Sequence, residues 1–280
     1  MKLFFTLLAS AALLPAGELK PAALPAQWTC SNGNYQIRFD GKKQLELLFP
    51  MKLEQGCWYQ IRFDARCQRG PGAENLLSAL RFGDRNRYQA FQANSAWSRH
   101  INSFYAQETD GEYRLILKRS QPDTVEFRNL RCTRLNDADF RRNLLPDGDF
   151  ESGDPAIPAF PWRRNGTAEL ADCGFLTGSS SLVLRNPRTG NSAPYVTSAT
   201  LPVRPGKPYR LVLWLKADRN GSVDLAFENL QKTVPVSGEW QRIEWKFTPP
   251  TDFPRMARLT VRMRRELRTL MLDCVSFSEQ

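Results

Sequence analysis

Apolar and polar residues alternate strictly in the second half of the chain, most clearly between residues 209 and 216. Tyr209, Leu211 and Leu213 fall on one side of this segment, and Arg210 and Lys216 fall on the other. A period of two is the spacing at which successive side chains of a β-strand point to opposite faces. The segment therefore predicts a strand with one face in a core.

Several other segments alternate in the same way. They are Val223 to Phe227, Gln241 to Phe247 and Leu259 to Met263. Proline and glycine mark turns at residues 204–208, 218–221, 237–238 and 248–251. Short strands joined by such turns predict an all-β fold, a sandwich or jelly roll. Leu76 to Leu80 is compatible with a helical turn or with the start of a strand.

Four blocks of the first half recur in the same order in the second half. Residues 56–66 align with 206–216, 97–104 with 240–247, 114–118 with 258–262, and 125–130 with 270–275. The order indicates a duplicated unit, and a length of 280 residues suits two modest domains. We predict two tandem β-sandwich (jelly-roll) domains, residues 24–135 and 143–280. A polar, charged linker joins them at about residues 134–142.

The N-terminus has the features of a secretory signal. Lys2 precedes an apolar run from Leu3 to Leu14, which Pro15 ends. This run is too short to cross a bilayer and is typical of a signal-peptide core. We predict a signal peptide over residues 1–16, cleaved close after Ala16, and a secreted or periplasmic protein. Since no other apolar stretch is long enough, we predict no transmembrane segment.

Export makes disulfides possible among the six cysteines. In the second half, Cys173 with Cys274 is the simplest pairing. The four cysteines of the first half allow three pairings; they are Cys30, Cys57, Cys67 and Cys132. A bridge from Cys30 to Cys132 mirrors the second half but leaves Cys57 and Cys67 at opposite ends of one predicted strand. The pairing in the first half stays open.

The residue composition excludes several classes of enzyme. The chain is 41% hydrophobic and 24% charged, as in globular proteins. Its one histidine, His100, excludes a histidine zinc cluster and leaves a single Ser-His or Cys-His pairing. Glu228, Glu239, Glu244 and Asp224 form no recognisable glycosidase pair. We therefore predict a non-catalytic protein.

The charge is positive and spread over both halves. Lys and Arg number 39 against 29 Asp and Glu, a net charge of +10. Nucleic-acid binding would need a concentrated basic stripe with stacking aromatics, so we predict no nucleic-acid partner. An acidic polysaccharide or an anionic cell envelope suits this charge better.

The second half carries an ordered set of motifs. It opens with Asn143-Leu-Leu-Pro-Asp-Gly-Asp-Phe-Glu-Ser-Gly153, continues with Gly178-Ser-Ser-Ser-Leu182, and closes with Leu270-Met-Leu-Asp-Cys-Val275. This set resembles carbohydrate-binding modules of families 4, 9 and 22, jelly rolls of the galactose-binding-like class. The first half keeps only the later blocks and resembles a diverged copy.

The resemblance implies a polysaccharide or oligosaccharide ligand and a structural calcium ion. Carried over, Glu151 and Asp273 supply carboxylates and Asp149 a backbone carbonyl, the hard oxygens that calcium prefers. Alternatively, Glu151 caps a turn and Asp273 accepts backbone hydrogen bonds. The first half has Arg128 where the second has Asp273, which predicts no ion there.

A sugar ring stacks on flat apolar faces, so outward aromatic residues are candidate ligand contacts. Trp214 is the first candidate for a ligand contact, with Arg210 and Lys216 beside it on the same strand face. The alternative is that both faces of this strand are covered and Trp214 is packed. Trp162 and Tyr195 lie near predicted loops and are further candidates.

Arg258 and Arg262 lie on one predicted strand face. They either contact the hydroxyl or carboxylate groups of a sugar or form a basic surface exposed to solvent. Trp97 and Trp240 recur at one repeat position and are assigned a structural role. We predict an exported carbohydrate-binding protein or, alternatively, an envelope structural or adhesive protein.

Overall fold

The computed structural model describes residues 17–23, 28–39, 45–67, 76–82, 85–91, 96–117, 123–151, 162–165, 167–171, 174–186 and 193–280. The predicted signal peptide lies outside them. Strands make up nearly all of the regular structure in these ranges, and the predicted all-β fold is confirmed. No helix within them is long and apolar enough to cross a bilayer.

The described part of the first module contains ten strands. They are β1 (Gly17–Glu18), β2 (Trp28–Ser31), β3 (Asn34–Phe39), β4 (Leu45–Lys52), β5 (Trp58–Cys67), β6 (Leu76–Phe82), β7 (Arg85–Phe91), β8 (Ser98–Tyr105), β9 (Asp110–Leu117) and β10 (Asp123–Arg134). Sheet A has the order β2-β3-β10-β5-β8, with β1 paired to β10. Sheet B has the order β4-β9-β6-β7. Because β1 joins sheet A, this module begins before residue 24.

A short helix, α1 (Asp137–Phe140), precedes the strands of the second module. These are β11 (Arg163–Asn165), β12 (Thr167–Ala171), β13 (Ser181–Arg185), β14 (Tyr195–Thr197), β15 (Leu201–Pro202), β16 (Tyr209–Ala217), β17 (Gly221–Phe227), β18 (Leu230–Val236), β19 (Gln241–Phe247), β20 (Met256–Ala257), β21 (Leu259–Met263) and β22 (Thr269–Glu279). Sheet C has the order β11-β14-β21-β17-β18, and sheet D has the order β12-β13-β22-β16-β19. β15 pairs with β20.

Each module buries the inward side chains of two facing sheets. In the second module, Leu213 of sheet D and Leu225 of sheet C are both fully buried in one cluster. In the first module, Phe63 of sheet A and Phe49 of sheet B do the same in another cluster. Removing these side chains from water is the main favourable term that holds the sheets together.

The strand registers reproduce the alignment of the two halves. Tyr59 lies opposite Phe104, as Tyr209 lies opposite Phe247. Further along the same strands, Asp64 lies opposite Arg99, as Trp214 lies opposite Arg242. Each module therefore presents equivalent positions at the same place on its outer face.

A β-bulge also recurs at one place in both modules. Arg128 lies opposite Asp64 just before a register shift in β10, and Asp273 lies opposite Trp214 just before a register shift in β22. The next residue has a positive φ in both strands, 57° at Asn129 and 49° at Cys274. A bulge bends its strand and re-aims nearby side chains, so this irregularity is part of the duplicated plan. The alignment of Arg128 with Asp273 made from the sequence matches this register.

The two modules share a tyrosine that fastens the turn before its strand. The backbone N–H of Glu54 donates to Tyr59 Oη at 2.8 Å, and that of Arg204 donates to Tyr209 Oη at 2.8 Å. Gly56 and Gly206 lie within these turns at φ of 83° and 78°, a region that favours glycine.

The predicted polar linker contains the helical turn α1, which packs between the modules. Asn136 caps this helix by accepting from the N–H of Asp139, and Phe140 at its end is buried.

Leu76 to Leu80 belongs to β6, so the strand alternative holds there.

Aromatic rings join the two modules. Trp58 of β5 is buried in the core cluster of the second module, with its ring 5.7 Å from Phe140 and 4.9 Å from Tyr105. The Arg255 guanidinium lies 4.4 Å from the ring centre of Tyr105. The second module therefore packs directly on the end of the first.

The five cysteines within the described residues are free thiols; they are Cys30, Cys57, Cys67, Cys132 and Cys274. Cys30 lies two strands from β10 at the level of Phe127, five residues before Cys132. Strand spacing and rise then separate Cys30 from Cys132 by more than about 15 Å, beyond the reach of a disulfide. The mirrored pairing considered from the sequence is therefore not made. Cys173 lies outside the described residues, and its pairing with Cys274 stays a prediction.

Candidate functional site

Trp214 points away from the core, as the alternation predicted. Its neighbours Leu213 and Leu215 are fully buried, whereas the indole is half-buried on the outer face of sheet D. Across the neighbouring strands it faces Arg242 of β19 and Asp273 of β22. The ring is thus neither sealed in the core nor fully exposed.

Charged side chains surround Trp214. Glu244 of β19 forms ion pairs with Arg242 at 2.8 Å, Arg210 at 3.1 Å and Lys246 at 3.4 Å. The hydrogen bond from Arg242 and the nearby positive charges lower the pKa of Glu244, so this carboxylate is ionised at neutral pH. Lys216 is half-buried on the same side of β16. We call Arg210, Trp214, Lys216, Arg242 and Glu244 the indole face.

A loop covers the outer face of sheet D beside Trp214. Asp273 is fully buried beneath this loop. Its Oδ2 accepts hydrogen bonds from the N–H groups of Leu176 at 2.8 Å and Thr177 at 3.3 Å, which compensate for its burial. Its Oδ1 accepts from the N–H of Cys274 at 2.6 Å. Asp273 therefore fastens the loop of residues 174–180 to β22.

Glu151 holds the other end of this loop. Its Oε1 accepts from the N–H groups of Ser179 at 2.8 Å and Ser180 at 2.9 Å, and its Oε2 accepts from Ser179 Oγ at 2.6 Å. The hydrogen bond from the Ser179 side chain, followed by those from the backbone, lowers the pKa of Glu151. Both carboxylates have the roles given by the turn-cap alternative.

The donor set in this structure does not fit a calcium ion. The oxygens of Glu151 and Asp273 are engaged by N–H and O–H donors, whereas calcium needs oxygens that direct lone pairs to it. Within the described part of the chain, no three His, Cys, Asp or Glu residues converge as a metal site. The backbone carbonyl assigned to Asp149 stays a prediction. The ion implied by the resemblance stays a prediction, and no step below depends on it.

A second polar surface lies on the opposite side of the second module. On the outer face of sheet C, Tyr195 of β14 faces Arg262 of β21, whose guanidinium lies 5.6 Å from the Tyr195 ring centre. Arg264 donates to both oxygens of Asp224, at 2.8 to 3.2 Å, and its hydrogen bonds lower the pKa of that carboxyl. We call Tyr195, Asp224, Arg262 and Arg264 the arginine face.

Two further candidates occupy other places. Arg258 is exposed between β20 and β21; its Nε donates to Thr200 Oγ1 at 3.0 Å, and its backbone N–H donates to Glu228 at 2.9 Å. Trp162 is only 3% exposed. Its ring lies 5.5 Å from Phe150, and its Nε1 donates to the carbonyl of Asp147 at 3.3 Å. Trp162 therefore offers no open ring face and packs in the core.

The candidate ligand residues thus divide between two surfaces. Trp214, Arg210 and Lys216 share the indole face of sheet D. Tyr195 and Arg262 meet on the arginine face of sheet C. Since the two sheets form opposite sides of one sandwich, a single sugar ring does not contact both groups.

Trp97 of the first module has surroundings that the sequence did not reveal. The repeat predicts a structural role for it, because Trp240 occupies the same position in the second copy. Its half-buried ring lies 4.0 Å from the Arg128 guanidinium carbon and 4.7 Å from that of Arg66, measured from the ring centre. Trp97 and Arg128 also line two open clefts. Cross-strand pairing would have signalled this, because Trp97 precedes β8 directly opposite Arg66.

No family model and no curated protein matches this chain. Solved structures do align with it. A family 4 carbohydrate-binding module aligns at a TM-score of 0.39 and 18% identity, covering 49% of this chain and 99% of that one. The tandem family 22 carbohydrate-binding modules of Xyn10C from Paenibacillus barcinonensis align at a TM-score of 0.36 and 14% identity, covering 96% and 99%.

The alignments also reach part of an enzyme. The enzymatically active domain of tailspike protein 4 from bacteriophage CBA120 aligns at a TM-score of 0.41 and 17% identity, over 49% of this chain and 21% of that one. The structure comparison returns the class of module that the sequence motifs resemble. These TM-scores lie below 0.5.

Proposed function

We propose that the protein is an exported, non-catalytic carbohydrate-binding protein and that the indole face docks a polysaccharide or oligosaccharide. One observation carries this proposal: Trp214 is half-buried on an outer sheet face while Leu213 and Leu215 beside it are fully buried. An indole placed in this way offers a flat apolar surface to the C–H side of a sugar ring.

The charged groups around Trp214 suit the hydroxyl groups of such a ring. Arg210, Arg242 and Lys216 supply N–H donors, and Glu244 supplies acceptor oxygens. A few polar groups beside an apolar platform is the usual composition of a small-ligand site.

Two carboxylates on the outer faces of the second module, Glu244 and Asp224, favour a binding role over a hydrolytic one. A glycosidase needs a carboxylic acid with a raised pKa to protonate the leaving group. Here the pKa of Glu244 and that of Asp224 are both lowered, each by hydrogen bonds from an arginine. Both groups are therefore ionised at neutral pH and do not serve as that acid.

Affinity electrophoresis of the full chain through gels that contain soluble polysaccharides tests the proposal. We expect retardation by at least one neutral glycan and a roughly fivefold weaker interaction for Trp214→Ala, since one aromatic contact contributes about 1 kcal/mol. Tyr195→Ala is the matched control, because it removes a half-buried aromatic ring from the opposite sheet.

Two results would count against this assignment. If Tyr195→Ala weakened binding and Trp214→Ala did not, the ligand would belong on the arginine face. If no member of a broad glycan panel retarded the protein, sugar binding itself would be excluded. The alternative of an envelope structural or adhesive protein would then be favoured.

A further inference from the structure

Trp97 stands at the centre of a polar site on the outer face of sheet A. One open cleft, of about 440 Å³, is lined by Trp97, Arg128, Arg99 and Asp64, together with Pro146 and Asp147 of the second module. Another cleft, of about 320 Å³, shares Trp97 and Arg128 and extends to the edge of the sheet. The polar side chains at that edge are Thr29, Ser31, Asn34 and Gln36. The two clefts together have the size of a site for a small ligand.

The indole of Trp97 reaches across three strands. Ser98 is the first residue of β8 and lies opposite Ala65, so Trp97 lies next to Arg66 of β5. Beyond Arg66, the ring also contacts the guanidinium of Arg128 on β10. Each guanidinium lies within the range of a cation–π contact, which holds both side chains in place beside the clefts.

Three carboxylates line the clefts: Asp64, Glu126 and Asp147 of the second module. The first two have basic partners. Asp64 is 5% exposed and accepts from Asn129 Nδ2 at 2.8 Å and from Arg99 Nε at 3.1 Å. Burial alone would raise the pKa of Asp64, but these hydrogen bonds outweigh burial and lower it, so the group is ionised. Glu126 accepts from Gln36 at 3.0 Å and pairs with Arg66.

Arg128 forms an ion pair with Asp64 but no hydrogen bond to it. Its Nε is buried and makes no hydrogen bond to any described residue, and it lies 3.6 Å from Asp64 Oδ2, beyond hydrogen-bond distance. The side chain is 38% exposed. A guanidinium stacked on an indole and turned to a cleft is suited to bind a carboxylate with two parallel hydrogen bonds.

We propose that this site of the first module binds a uronic acid residue of an acidic polysaccharide. The carboxylate of the sugar pairs with Arg128, and the C–H face of its ring stacks on Trp97. This inference rests on carbohydrate binding as the proposed function and adds a second site with its own ligand class. The second module has no such site, because Asp273 stands where the first module has Arg128 and the loop of residues 174–180 covers it.

Isothermal titration of the full chain with oligogalacturonate and with oligoalginate tests the proposal. We expect Arg128→Gln to lower the affinity for the acidic oligosaccharide that binds by tenfold or more, and Trp97→Phe to lower it less. Arg131→Gln is the matched control, because Arg131 is exposed on the same strand and lines neither cleft. Arg131→Gln and Trp214→Ala should both leave this affinity unchanged.

The uncharged methyl ester of oligogalacturonate distinguishes the contribution of the carboxylate to binding from that of the sugar ring. We expect the ester to bind the wild type weakly, with no further loss in Arg128→Gln. Circular dichroism and thermal melting confirm that each variant folds.

Three outcomes would overturn the proposal. Equal losses in Arg128→Gln and Arg131→Gln would show non-specific charge attraction. Binding of neutral glycans without either acidic oligosaccharide would remove this site and leave the proposed function intact. Binding of no glycan at all would remove both.

Discussion

The two modules share their inward positions and differ at their outward ones. Strand β5 lies between β10 and β8, as β16 lies between β22 and β19. On these equivalent strands Phe63 and Leu213 are both buried. The next residue outward is Asp64 in one module and Trp214 in the other. The position across from it is Arg128 in one and Asp273 in the other. The sandwich tolerates this exchange because outward side chains contribute little to its core.

The exchange changes what each outer face does. In the first module, charged groups and Trp97 leave two clefts open. In the second, a buried carboxylate draws a loop over part of the sheet and leaves one indole beside it. A duplicated scaffold has thus acquired two surfaces of different chemistry with the same backbone plan.

A buried histidine gives the sharpest difference in stability between the modules. His100 faces Phe63 across the strands, and the equivalent residue of the second module is Ile243. Burial lowers the pKa of His100 to about 3. Between pH 6.5 and this value, the unfolded chain takes up a proton that the folded chain does not. The wild type should therefore lose about 3 kcal/mol from this residue between pH 7 and pH 4.

Chemical denaturation as a function of pH measures this effect. His100→Ile places the residue of the second module in the first, and His100→Gln is a polar second variant. Both should show a flatter loss of stability from pH 7 to pH 4 than the wild type. A wild-type slope that neither substitution changes would mean that His100 is protonated in the folded protein.

Removing the loop-fastening carboxylate should have the next largest effect. Asp273→Ala leaves the N–H groups of Leu176, Thr177 and Cys274 without their acceptor. We expect a loss of about 2 kcal/mol in the free energy of unfolding, measured by denaturant titration. Arg128→Gln, at the equivalent place in the first module, should cost less, about 1 kcal/mol, since it removes one partly exposed ion pair at 3.6 Å. Equal costs would erase this contrast.

The same measurement tests calcium. Because the carboxylates of Glu151 and Asp273 are occupied by hydrogen bonds, we expect a chelator to leave the melting temperature of the full chain unchanged. A fall that added calcium reverses, and that is absent in Asp273→Ala, would instead support the ion implied by the family resemblance.

The shared tyrosines should give small and nearly equal effects. Tyr59→Phe and Tyr209→Phe each remove the acceptor of one backbone N–H at 2.8 Å. We expect each to lower the free energy of unfolding by about 1 kcal/mol. A much larger loss for Tyr209→Phe would point to its second contact, with Glu279 at 3.4 Å.

Much of the fold was predictable because strand alternation and the repeat are local signals. The alternation placed Leu213 inward and Trp214 outward, and the block alignment matched Tyr59 with Tyr209. The alternation depends on neighbouring residues, and the repeat depends on comparing two segments of the sequence. Neither signal requires knowledge of contacts in the folded chain.

The site was less predictable because it depends on contacts between distant segments. Trp162 is a core residue because Phe150 and the Asp147 carbonyl lie beside it. Trp97 gained its surroundings from Arg66 and Arg128, which lie on two other strands. The alternation of a single strand carries no information about such neighbours.

Trp58 belongs to the first module by sequence but is buried in the core of the second, only 7% exposed, against Phe140 and Tyr105. Cutting the chain between residues 135 and 142 would leave this large indole in water on one fragment and an unfilled hollow on the other. Because the halves are packed together, their outer faces keep a constant separation. If both proposed sites bind sugar, a polymer that spans them gains avidity because the two sites are held in one chain.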